Sequence, residues 1–374
     1  MDDRAELVRQ TMKAVVWDGN KFPQGLTYGD FNIPDPPPGW VLVHNRSAGI
    51  CGSDLHYLQG FAREEIPEGN LPAVLGHENA GVVVLAGEGV TAFNRGDRVV
   101  VEPLHGCIEF GGSCPMCLTG KYNLCLEGVA HVGLPFVRML PGGFGDYSIV
   151  HASHLYLLPD SVSFEEASLV DILAVAVHAV NIGKPSLGQR VVVIGCGTIG
   201  LDLIQCLNLK GVEIIAIARY PFQAEMAHRL GASHSLILDR PVNPVKEVLR
   251  LTGGWGADQV YECVGGQGET LNQAIDMSRM GGSVVMVGEF YGLRPINLFS
   301  MMMKEVPILT SNAYSTFGTE REFQVALRLL SDKKVEHDSL ITHRFSPENY
   351  QEAIKISYAK KENRLIKSIF VRHN

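Results

Sequence analysis

The hydrophobic rhythm of the chain changes twice. In the first part, short β-branched runs are broken at close intervals by Gly, Pro and Asn: Ala14–Trp17, Val41–His44, Gly81–Leu85 and Asp97–Val101. Runs this short and this punctuated predict strands that close into a small β-barrel. From about Val191, apolar runs alternate with helical stretches. The runs are Val191–Ile194, Glu213–Ala218, Ser235–Leu238, Asp258–Cys263, Ser283–Val287 and Pro307–Thr310. That alternation predicts parallel βαβ units, and six strands suit a doubly wound sheet. From about Asn312 the pattern changes again, to a helix over Glu320–Ser331 and a closing strand over Ile366–Val371. This tail reads as a return to the first domain. The fold class expected is therefore α/β, with a β-rich domain and a doubly wound parallel-sheet domain.

Composition narrows the function. A chain of 374 residues is long for one core, so about two domains are expected. With 46% hydrophobic and 19% charged residues it is an ordinary globular composition, and a net charge of −8 argues against nucleic acid or an anionic membrane as partner. A small-molecule substrate is expected. The start, Met1-Asp2-Asp3-Arg4, is acidic, and no apolar run reaches the roughly 18 residues of a spanning helix, so a cytoplasmic location is expected. In that compartment eight cysteines favour metal binding or buried thiols over disulfides.

Three motifs carry chemistry. Cys51-Gly52-Ser53-Asp54-Leu55-His56 and Gly76-His77-Glu78 offer a soft thiolate and an imidazole that one Zn²⁺ can hold, with Ser53 and His56 available to carry a proton to solvent. Cys107, Cys114, Cys117 and Cys125 sit close together in sequence. Gly195-Cys196-Gly197-Thr198-Ile199-Gly200 lies between a strand pattern and a helical pattern, as a dinucleotide's pyrophosphate requires.

In this order, over nearly the whole chain, these motifs resemble the zinc-containing medium-chain dehydrogenase/reductase family. Its polyol dehydrogenase-like and bacterial secondary-alcohol branches are the most similar. The resemblance implies a GroES-like catalytic domain over residues 1–172 with a structural zinc lobe, a Rossmann domain over 173–311 and a return to the catalytic part over 312–374. It implies a zinc-dependent transfer of hydride between NAD(P)(H) and a secondary alcohol, polyol or cyclitol and its ketone. Family position suggests Asp171 as third zinc ligand beside Cys51 and His77, with Glu78 as the alternative oxygen ligand. The cysteine cluster resembles the structural zinc lobe with one departure. The family's first two cysteines are separated by two residues, whereas Cys107 lies further back and enlarges the loop before Cys114.

At the end of the second Rossmann strand Ala218 stands where the family's ribose-binding Asp belongs, and Arg219 follows. Removing the acid removes repulsion of a 2′-phosphate, and the guanidinium supplies a charge-assisted contact, so NADP(H) is expected over NAD(H). Val264 and Val287, at later strand ends, are candidate nicotinamide contacts, and Lys367 stands where the family often has a basic residue on the pyrophosphate. Relatives suggest a homodimer or homotetramer. Two rivals remain at this stage: a zinc-free quinone or alkene reductase of the same superfamily, which would not need Cys51, His77 and Asp171 together, and a non-catalytic protein on this fold, which would be expected to lose a ligand or relay residue.

Overall fold

Successive side chains of the strand Trp40–Gly49 serve two cores. Val41 and Val43 pack with Val83, Val99, Val101 and Val150, while Leu42 joins Trp17, Val74, Phe144 and Phe370. Strand residues alternate faces, so a strand apolar on both faces belongs in the middle of a sheet. That is where it lies. The sheet runs in the order Leu155–Leu157, Arg98–Val101, Glu78–Ala86, Trp40–Gly49, Lys367–Val371 and Ile341–Phe345, and Tyr147–His151 also pairs with Trp40–Gly49. The closing strand of the chain thus completes the β-rich unit, pairing antiparallel through Ile369 and Gly49. A smaller sheet of Thr11–Trp17, Leu26–Asn32 and Ala73–Val74 belongs to the same unit.

The computed structural model describes residues 10–61, 63–135, 137–238 and 243–372. The acidic start, Met1–Arg4, lies outside them. Contacts divide the chain into two units, one running to Asp171 and resuming at Gly318, the other covering Ile172–Phe317. The first changeover falls inside the helix Val170–Gly183. The second comes after Phe317. Ser311 still donates its N–H to the Met286 carbonyl (2.9 Å), which keeps the chain beyond the last strand with the second unit.

The second unit is a six-stranded parallel sheet. Its strands are β1 (Arg190–Ile194), β2 (Glu213–Ala218), β3 (His234–Ile237), β4 (Ala257–Glu262), β5 (Ser278–Met286) and β6 (Ile308–Thr310). They lie in the order β3-β2-β1-β4-β5-β6. Val191–Ile194 is buried at every position, as an unbroken apolar run covered on both faces must be. β5 starts earlier than the apolar pattern of Ser283–Val287 suggests. A register shift between Ala257 and Gln259 takes up the extra residues, with Gly281 at φ +65°. The strand order reverses beside β1, which makes the C-terminal ends of β1 and β4 the crevice where such sheets bind ligands. No helix among the described residues is long and apolar enough to cross a membrane.

Candidate active site

The first cluster is built around a missing side chain. In the antiparallel pairing of Trp40–Gly49 with Glu78–Ala86, Gly49 lies opposite Glu78. A Cβ at Gly49 would stand 1.8 Å from Glu78 Oε2 and 3.0 Å from Lys367 Cε. With only hydrogen there, the Glu78 carboxylate and the Lys367 ammonium meet across the strand, 2.5 Å apart. Cys51 ends the same strand's excursion by capping the short helix Gly52–Leu58, where its N–H donates to Asp54 Oδ2 (2.8 Å). Asp54 Oδ1 faces His77 Nδ1 at 3.6 Å.

Together these constraints bring Cys51 Sγ, a ring nitrogen of His77 and a carboxylate oxygen of Glu78 within 4.8 Å of one another. His77 is 4% exposed and Glu78 0%. His77 Nδ1 and Glu78 Oε1 are buried without a hydrogen-bond partner, and orphaned buried polar atoms call for a ligand. Burial alone would push the His77 imidazole down, but the Cys51 thiolate and the Asp54 carboxylate outweigh it and raise it well above its ordinary value. The shell is thus electron-rich and holds a proton where a cation would serve. A thiolate, an imidazole and a carboxylate are the donors a catalytic zinc takes, and the residues present fit one.

Asp171 is not among the donors that lie within 4.8 Å of one another. It sits in the first turn of Val170–Gly183, where a helix favours a carboxylate, and the oxygen donor brought to Cys51 and His77 is Glu78. Lys367, expected near the pyrophosphate, lies buried beside the cluster. It is 4% exposed, and its ammonium is committed to Glu78. Ser53 and His56 are both half-buried on the helix that Cys51 caps, three residues apart and so on one face. Asp54 escaped the sequence reading although Cys51-x-x-Asp54 has the spacing of a capping box.

Cys107, Cys114, Cys117 and Cys125 form the second cluster, with all four sulfurs within 4.8 Å of one another. The enlarged loop does not exclude Cys107. It closes through a short 3-10 turn, Ile108–Phe110, ended by Gly111 at φ +82°. Cys114 N–H points at Cys107 Sγ and Cys117 N–H at Cys114 Sγ, both at 3.4 Å. The N–H donors of Cys117 and Leu126 bring the Cys114 thiol down to about 6.

The loop is moored by residues the sequence did not single out. Glu109 accepts from His154 (2.9 Å), whose other nitrogen lies 3.2 Å from Glu102. Glu102 also accepts from Tyr156 (2.7 Å), Arg321 (3.0 Å) and Tyr122. Burial would raise the Glu102 carboxyl, but His154, Arg321 and Tyr122 prevail and hold it at about 2.

In the second unit the glycine turn has the required shape. Gly195 takes φ +97°, and a Cβ at Gly200 would lie 1.9 Å from the Gly195 carbonyl oxygen, so both positions demand glycine. Gly197 caps the helix Thr198–Asn208 without a side chain. A Cβ there would meet nothing within 4 Å. No side chain at Gly197 thus stands in the way of a phosphate approaching the helix N-terminus. Ala218 is buried at the end of β2. Arg219 beyond it is exposed, with its guanidinium 5.4 Å above the Tyr220 ring. Val264 is half exposed beyond β4, and Val287 is buried beyond β5. Tyr57, Phe144 and Tyr314 are buried. Phe144 packs edge-on against Phe370.

Comparison with known proteins places the chain in a family. The family model for the alcohol dehydrogenase GroES-like domain matches residues 37–160, and that for zinc-binding dehydrogenase matches residues 198–332. The chain belongs to the zinc-type alcohol dehydrogenase family. It is 31% identical to sorbitol dehydrogenase of Bacillus subtilis (strain 168) over 93% of its length and 94% of that protein's. Among solved structures it resembles a zinc-binding dehydrogenase from Sinorhizobium meliloti 1021 bound to NADP (28% identity, TM-score 0.83), covering 97% of this chain and 100% of that one. A protein from Escherichia coli CFT073 described as a short chain alcohol dehydrogenase, complexed with NADH, is also similar (26% identity, TM-score 0.83), with the same coverage. As a member of this family the chain is an oxidoreductase acting on alcohols.

Proposed function

We propose that this dehydrogenase transfers hydride between NADP(H) and a secondary alcohol or polyol and its ketone, using a zinc held by Cys51, His77 and Glu78. The observation that carries the reading is the meeting of those three donors, two of them buried, beside the helix that presents Ser53 and His56. The polyol class is supported by the likeness to a sorbitol dehydrogenase over nearly the whole chain. When bound, zinc supplies Lewis acidity that lowers the pKa of a hydroxyl or polarises a carbonyl.

The chain's own residues do the rest. Asp54 fixes the Cys51 backbone and faces His77, so thiolate and imidazole are held before substrate arrives. Lys367 offsets part of the negative charge that Cys51, Glu78 and Asp54 accumulate. The Ser53 hydroxyl accepts the proton leaving the substrate hydroxyl, and the His56 imidazole passes it outward. A bound nicotinamide would supply the acceptor for the hydride that the carbinol carbon loses as alcohol becomes ketone. In the reverse direction the same pair returns a proton to the carbonyl oxygen. The four cysteines hold a second zinc whose role is structural.

NADP(H) is favoured because β2 ends in Ala218 and Arg219 follows it, leaving no carboxylate at that strand end to repel a 2′-phosphate. The Tyr220 ring beneath Arg219 limits where its guanidinium rests. Self-association through a second copy is supported by the apolar side chains of Leu293, Leu298, Phe299, Met302 and Met303, all exposed in the unit whose outer strand, β6, pairs on one edge only among the described residues. We place the enzyme in the cytoplasm. The reading is tested by KM values for both dinucleotides. The ratio should favour NADP(H), and Arg219→Ala should raise KM for NADP(H) by about tenfold, the value of one charge-assisted contact at a solvated site. A wild-type preference for NAD(H) would contradict it.

A further inference from the structure

β4 and β5 end side by side, and one residue ties both ends. The carbonyl of Glu262, the last residue of β4, accepts from Val287 N–H (2.9 Å) and Gly288 N–H (2.8 Å). Its carboxylate turns the other way along its own chain. There Oε1 accepts from Val264 N–H (2.9 Å) and Gly265 N–H (3.1 Å), and Oε2 lies 3.3 Å from the latter nitrogen. Four N–H groups of two strand-end turns therefore converge on Glu262.

The turns so held are pressed together. A Cβ at Gly288 would stand 2.4 Å from Gly265 N and 2.6 Å from Glu262 Oε2, so neither turn can shift without the other. The Val264 turn also abuts the phosphate-binding glycines. Cys263 N–H donates to the Ile194 carbonyl (2.9 Å), and a Cβ at Gly195 would fall 2.7 Å from Val264 Cγ2.

Glu262 is 0% exposed, and among the described residues no cation pairs with it. Burying an unpaired carboxylate is costly, and an apolar residue would pack at a strand end without that cost. What the carboxylate offers that an apolar residue does not is an acceptor strong enough to gather two N–H groups whose chain has already left the sheet.

We infer that Glu262 is the positioning residue for the nicotinamide half of the dinucleotide, setting the Val264 and Val287 turns at a fixed height relative to the Gly195 turn. This rests on the dinucleotide reading proposed above. It adds that the two halves of the cofactor are governed separately: the pyrophosphate by the glycine turn, the nicotinamide by the Glu262 staple.

The test is a fluorescence titration of the zinc-loaded enzyme with NADPH, beside a competition titration with 2′-phosphorylated ADP-ribose, which lacks the nicotinamide. Wild type should bind both. Glu262→Ala should weaken NADPH by about tenfold or more through the loss of two charge-assisted bonds, while the fragment stays within about twofold. Glu262→Gln keeps an oxygen at the Oε1 position and should recover most of the NADPH affinity. If Glu262→Ala fails to fold, Glu262→Asp withdraws the carboxylate by one methylene and should show the same selective loss. Equal weakening of both ligands, or unchanged NADPH affinity in the Ala or Asp variant, would overturn the inference. A wild-type enzyme that binds neither ligand would instead remove the dinucleotide reading, and would be seen before any variant is made.

Discussion

Two candidate metal clusters lie in the same unit and are built on opposite principles. The four-cysteine lobe is local: its donors come from one loop, Cys107 to Cys125, and its sulfurs receive backbone N–H groups. The Cys51–His77–Glu78 cluster is assembled from a helix cap and the start of a strand, with a second strand supplying Lys367. The lobe offers four like donors, a set that closes tetrahedrally around a zinc and leaves no place for substrate. The second offers three unlike donors and leaves a position open. One cluster is suited to holding structure and the other to chemistry, and the difference is readable in donor type and in what surrounds each.

The strongest way to break this division is to remove one donor from each side. Cys51→Ser or His77→Ala should lower kcat/KM by about 10³-fold or more, since the lost Lewis acidity is worth several kcal/mol, while dinucleotide affinity stays within about twofold. Steady-state kinetics and a binding titration on the same preparation check both halves of that statement. Cys107→Ser should do the reverse. Zinc content and Tm fall, the latter by several degrees, with kcat per folded chain largely kept. Loss of kcat without loss of stability in that variant would erase the distinction.

A finer test separates Glu78 from Asp171. Glu78→Gln should weaken zinc at the Cys51 site by about 10- to 100-fold in a competitive chelator titration, the range seen when a partner that tunes a metal site is lost. Asp171→Asn should leave that affinity unchanged, and the opposite pattern would restore Asp171 as the oxygen ligand.

The smallest expected effect concerns the mooring of the lobe. Glu102 is held at about 2 against an ordinary 4.5. A depressed carboxyl contributes stability that is fully present above the ordinary value and is lost as pH falls through the folded one. His154, whose imidazole is raised despite its burial, contributes in the other direction, below its ordinary 6.5 and lost as pH climbs past the raised value. Glu102→Gln should therefore flatten the fall in Tm between pH 4.5 and 2, measured by thermal scans across that range.

Much of this architecture is legible in the residues because it is local. Val191–Ile194 is apolar at every position and must be a covered parallel strand, and Gly195 and Gly200 are glycines the turn cannot do without. The cysteine lobe is legible for the same reason, even with Cys107 displaced. What stays hidden depends on pairing between distant segments. Glu78 follows His77 in any reading, but its role turns on Gly49 lying opposite and on Lys367 arriving from the far end of the chain. Those facts belong to the strand register, which no short motif encodes. The pairing of Lys367 with Glu78 and the gathering of N–H groups on Glu262 depend on that register too.

The central claim is best tested by counting zinc per chain in the purified enzyme and in its Cys51→Ser and Cys107→Ser variants, with alcohol-dependent turnover followed on the same samples. The account predicts two ions and turnover in the wild type, one ion without turnover in Cys51→Ser, and about one ion with turnover in Cys107→Ser. Wild-type enzyme that turns over alcohol with no zinc at all would contradict it.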